Sequence, residues 1–171
     1  VLQRLPPKSV TSAQALTLEQ GQEIDLSVLL QYLSAQAYER TDTVRECGEF
    51  SVRGSLLDIF APGESHPYRI DFFGDEIEKI RLFEPLSQLS LPHRLVKKIT
   101  LHASREILLS EDAALKFCRN YRSRFGTACE KDALFQAVQN RIAFPSMEHW
   151  LPCFYDELGN LFEYVNGVIG F

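Results

Sequence analysis

Arg40 and Arg53 are the residues of this chain best suited to chemistry, and the chemistry they suit is recognition. A guanidinium is planar, permanently charged and carries five donors, so on a strand it can hold a partner protein's carboxylate through two parallel hydrogen bonds. Leu57, Ile59 and Phe60 lie close enough in the chain to act as apolar companions that keep water from such a contact. For most of these three, packing in a core is the competing role. For the arginines it is an internal ion pair with Asp42, Glu49 or Asp58.

Residues that break bonds are harder to find. Asp71, Asp75, Glu76 and Glu78 cluster as the ligands of a nuclease magnesium would. The spacing is wrong, because a restriction-type core needs an acid two residues before its lysine and here Ile77 stands two before Lys79. Solvated strand and turn charges account for the cluster better. His66, His93, His102 and His149 lie far apart, with no serine or cysteine at a telling distance. Cys47, Cys118, Cys129 and Cys153 form no Cys-x-x-Cys and no zinc spacing, which suits reduced thiols in a cytosolic protein. The chain contains no Gly-x-x-x-x-Gly-Lys-Ser/Thr to cradle a nucleotide and no hydrolase, metalloprotease or calcium-loop pattern. No catalytic residue, cofactor site or metal site is expected in it.

The elements that must position the arginines follow from turn chemistry and periodicity. Gly48, Gly54, Gly63 and Gly74 punctuate strand-length runs, so residues 48–77 read as an antiparallel meander. Strands are expected at about 40–45, 48–53, 55–60, 67–73 and 76–83, after a short one within 13–19. In the fourth of the longer runs Tyr68, Ile70 and Phe72 share one face, and Arg69 and Asp71 take the other, where cross-strand charge pairing is expected. Asp25 caps a helix whose apolar stripe is Leu26, Leu29, Leu30, Leu33 and Ala37. The opening residues, before Pro6-Pro7, read as the end of a helix. Residues 85–92, with prolines at both ends, are the expected boundary between two subdomains. Beyond them come a strand over 95–101, a helix capped by Ser110 and closed by Gly126, a second helix over 131–141 and an aromatic block from Trp150 to Tyr164.

Composition bounds the rest. With 171 residues, 45% hydrophobic and 24% charged, the chain is one large domain or two small ones. No apolar run approaches the roughly 18 residues that a membrane-spanning helix needs, so no membrane is expected and a soluble, cytoplasmic protein is. A net charge of −5 argues against autonomous DNA binding, although Arg40, Arg45 and Arg53 could still make a local basic face.

Taken as an ordered string, these residues resemble the UvrB-like module of the transcription-repair coupling factors (Mfd). The resemblance runs through Tyr38-Glu39-Arg40, Gly48-Glu49-Phe50-x-Val52-Arg53-Gly54-x-Leu56-x-Asp58-Ile59-Phe60, Pro67 to Phe73, Asp75-Glu76-Ile77 and Ile80 to Phe83. A second block, Met147 to Pro152 with Phe154-Tyr155 and Leu161 to Tyr164, is closer to these factors than to UvrB itself. UvrB commonly carries Arg-Val-Arg-Gly where this chain has Ser51-Val52-Arg53-Gly54, so one cationic contact is missing.

The resemblance implies an α/β or α+β fold. An antiparallel sheet subdomain with a flanking helix, UvrB domain 2-like, would occupy 1–86, and a smaller mixed α/β subdomain, domain 1B-like, 87–171. It implies that Arg40 and Arg53 dock UvrA. It also implies a parent protein that uses ATP and magnesium to translocate on DNA and displace stalled RNA polymerase through parts outside this chain. Two other roles stand beside recruitment: a DNA-binding or metal-dependent DNA-processing domain, and a module that masks its own docking surface against the remainder of the parent protein.

Overall fold

A computed structural model describes residues 4–7 and 15–160, apart from the side chains of residues 93 and 94. The described residues divide into two compact units: 15–105, and 4–7 with 106–160. The expected division at 86/87 is not where the contacts separate. Residues 85–89 form a turn between two strands of one sheet, tied down by Gln88, whose Nε2 donates to the carbonyls of Val44 and Pro85. The expected N-terminal helix end is also corrected: Arg4–Leu5 is a short strand, β1, antiparallel to Gly159–Asn160. That pair belongs to the second unit.

The first unit opens with β2 (Leu16–Glu19) and helix α1 (Leu26–Ala35). As expected, Asp25 caps α1: its carboxylate accepts from the Ser27 hydroxyl at 2.6 Å and from the Ser27 amide at 2.7 Å, and these bonds lower its pKa. There follow β3 (Glu39–Arg40), β4 (Glu49–Arg53), β5 (Leu56–Ile59), β6 (Tyr68–Phe73), β7 (Glu76–Phe83), β8 (Ser90–Leu95) and β9 (Lys98–Leu101). Strands β3 to β8 form one six-stranded sheet in that order, and β9 pairs with β2. The meander from β4 to β7 is antiparallel throughout, whereas β3 is two residues long and joins β4 in parallel.

Alternation sorts the sheet into two faces. Phe50, Leu57, Ile59, Tyr68, Ile70, Phe72, Ile77 and Ile80 point inward and pack with Leu29 and Leu33 of α1 and Leu18, Ile99 and Leu101 of β2 and β9. Each fully buried aliphatic or aromatic side chain there contributes on the order of 2 kcal/mol. The opposite face carries Arg53, Asp58, Arg69, Asp71 and Arg81, and it is the face that bears charge.

The second unit is mainly helical rather than an even mixture. Helix α2 (Glu111–Phe125) is capped by the Ser110 hydroxyl and stops at Gly126, whose φ of 72° ends the helix without a Cβ penalty. After a 3₁₀ turn at Thr127–Lys131 come α3 (Ala133–Gln139), a second 3₁₀ turn at Met147–Trp150 and α4 (Leu151–Phe154). Phe117 stacks on Phe154 with centroids 4.7 Å apart, and Tyr121 meets Trp150 edge-on at 5.1 Å. Phe135 and Val138 are buried as expected, and Leu134 only partly. The expected aromatics Phe162 and Tyr164 lie outside the described residues.

Candidate functional site

The parallel pairing of β3 sets Arg40 in register with Phe50, three residues before Arg53 on β4. The Glu39 amide donates to the Gly48 carbonyl at 2.8 Å and the Thr41 amide to the Phe50 carbonyl at 2.9 Å. Between the strands, the Glu49 carboxylate accepts from the Arg45 and Glu46 amides and closes the connecting turn. Ser51 is buried and donates its hydroxyl to the Asp42 carbonyl at 3.0 Å. This small hydroxyl lashes β4 to the backbone just past the end of β3. The outcome is a cavity of about 480 Å³ lined by Arg40, Thr41, Asp42, Ser51, Val52 and Arg53. Arg40 is exposed and, among the described residues, makes no ion pair; the Thr41 hydroxyl is buried with no partner among them.

Arg53 is held from below. Its Nη2 donates to Asp58 Oδ2 at 2.7 Å while its side chain stays 49% exposed. Asp58 itself is 1% exposed and is gripped from the other side by Arg69, Nε to Oδ1 at 2.7 Å and Nη2 to Oδ2 at 2.9 Å. The hydrogen bond to Asp58 raises the pKa of Arg69 further, and its guanidinium lies 4.5 Å from the centre of the Phe83 ring. Asp71 pairs with Arg81 at 2.7 Å, the cross-strand charge pairing expected of this face. Of the internal partners weighed for the arginines, Asp58 is the one that Arg53 takes. The pair leaves half of that side chain free to meet solvent or a partner.

The three apolar companions are corrected. Leu57 and Ile59 are 0% exposed on the inner face, and Phe60, 8% exposed, packs with Val44 and Phe83. They support the sheet under the arginines and offer no surface to a partner. Asp58, weighed only as one of three possible partners, proves to be shared by Arg53 and Arg69, and the signal for that role was its alternation between Leu57 and Ile59, which puts it on the face of Arg53. No group of three or more His, Cys, Asp or Glu side chains that could hold a metal ion occurs among the described residues. No described helix is long and apolar enough to cross a membrane.

Comparison with known proteins adds an independent line. The family described as the UvrB interaction domain matches residues 16–106, nearly the span of the sheet unit. The transcription-repair-coupling factor of Escherichia coli (strain K12) is 34% identical over 165 residues, 96% of this chain and 14% of that protein. Those of Rickettsia typhi and of Mycobacterium tuberculosis are 33% and 35% identical, over 99% and 92% of this chain and 15% and 13% of their own lengths. The chain thus spans about one-seventh of the curated relatives it matches.

Proposed function

The chain belongs to the UvrB interaction domain family, and on that premise we propose that it is the UvrA-recruiting module of a transcription-repair coupling factor, working in transcription-coupled nucleotide excision repair. The observation that carries this is the cavity shared by Arg40 and Arg53. Arg40 and Arg53 both line one concavity, and Arg53 is aligned in advance by Asp58, an arrangement suited to carboxylates of an acidic partner surface. Pre-alignment matters because an arginine already held in place loses less rotamer freedom on binding.

In this reading the chain binds and does not catalyse. The ATP-driven, magnesium-dependent motor and the contacts with DNA and stalled RNA polymerase belong to other parts of a longer cytoplasmic protein. The Asp58, Arg69, Asp71 and Arg81 pairs also count against the DNA-processing alternative, because they neutralise one another across the sheet, engage Asp71 of the acidic cluster and break up any uniform positive face.

Calorimetric titration of the chain with UvrA tests the proposal. Arg40→Ala and Arg53→Ala are each expected to weaken binding by about 1 to 3 kcal/mol with the circular dichroism spectrum unchanged. Wild-type affinity in both folded variants would remove the arginine cavity from the interface.

A further inference from the structure

We propose that a groove beside α2, in the helical unit, receives an acidic, amphipathic segment of a protein partner. The groove has a volume of about 570 Å³, the size of an ordinary ligand site. The buried Ala114 and Cys118 line it together with Arg119 and Arg122 of α2 and Arg141 from the turn after α3. Glu111, the one carboxylate of its lining, sits two helical turns from Arg119, so the arginine end is left positive.

The three arginines are not equivalent. Arg122 is engaged, with Nε 2.8 Å from Glu130 and its guanidinium 5.5 Å from the Phe135 ring centre. Arg119 and Arg141 are exposed and make no ion pair among the described residues. Arg141 is presented by a defined turn: its φ is 58°, and its amide donates to the Val138 carbonyl at 2.9 Å just past α3. In a chain of net charge −5, two arginines without ion pairs lining one concavity ask for an anion.

The neighbours of the groove decide which anion. Leu115 in its wall is 63% exposed, and Ile142, next in the chain to Arg141, is 60% exposed. Both are aliphatic. Single-stranded nucleic acid binds through phosphates and rings on which bases stack, and aliphatic side chains supply no such platform. Carboxylates interspersed with leucine-like side chains match both halves of the surface, the former on Arg119 and Arg141, the latter on Leu115 and Ile142.

The probe is a synthetic peptide of about ten residues with glutamates and leucines at helical spacing, titrated into the isotope-labelled 171-residue chain by nuclear magnetic resonance. It is expected to move the amide signals of Leu115, Arg119 and Arg141, with affinity falling as salt rises. The same peptide with glutamine for glutamate should fail. The double variant Arg119→Gln, Arg141→Gln should bind roughly tenfold more weakly or less, its other signals unmoved. Absence of shifts, equal binding of the glutamine peptide, salt-independent affinity in the wild type, or stronger shifts of the same amides by oligothymidylate would each overturn the proposal.

Discussion

Asp58 shows how one buried carboxylate serves two ends. It is the common partner of Arg53, half in solvent, and Arg69, nearly covered and lying on Phe83. Removing it leaves Arg69 without its ion-pair partner in a protected site, the nearby Asp71 being taken by Arg81, so Asp58→Ala is expected to cost about 3 to 5 kcal/mol of stability in a urea titration. Arg53→Ala removes a partly solvated charge and should cost no more than about 1 kcal/mol. Equal losses in the two variants would mean that Asp58 is not the centre of the array. At this scale the sequence was informative about type and poor about direction. The guanidiniums at 40 and 53 declared what they could bind, whereas Leu57 and Ile59 declared only that they were apolar. Which side of β5 the helix covers is decided by packing with α1 and β9, residues far along the chain.

Elements with local signals were readable before any coordinates. Asp25 and Ser110 cap α1 and α2 as their side chains require, and Gly126 stops α2. Two elements were not. Strand β3 pairs in parallel with β4 through a turn that depends on Gly48, and a parallel contact has no hairpin signature to announce it. The proline-flanked stretch 85–92 looked like a linker, yet Pro92 lies in β8, the edge strand of the sheet, where a missing amide donor is tolerated. Gly48 is the element-scale test. Its φ is 90°, and a Cβ there would come within van der Waals overlap of the Ser104 hydroxyl. Gly48→Ala is expected to cost about 1 to 3 kcal/mol and to weaken UvrA binding by loosening β3. Adding Ser104→Ala should relieve the contact but not the backbone strain, so full recovery of the melting midpoint in the double variant would contradict the φ argument.

Across the whole molecule, buried phenols set the response to alkali. Burial, then the hydrogen bond with Glu64, pushes Tyr68 up to about 12, and burial also raises Tyr38 and, in the helical unit, Tyr121. A group whose pKa is raised by folding adds stability that is complete below its unfolded value near 10 and is lost as the pH climbs through the folded value. The urea midpoint should therefore hold up to about pH 10 and fall between about 10 and 12, with Tyr68→Phe flattening the fall; an unchanged slope in that variant would count against Tyr68 as a source. The arrangement of the two units in the chain has a further consequence. The sheet unit is continuous in sequence and closed at its ends by the β2 and β9 pair, while the helical unit joins Arg4–Leu5 to Gly159–Asn160. On a ribosome, the proposed docking surface can therefore be complete once Leu101 has emerged, whereas the helical unit waits, for seconds at ordinary synthesis rates, for the residues that seal it.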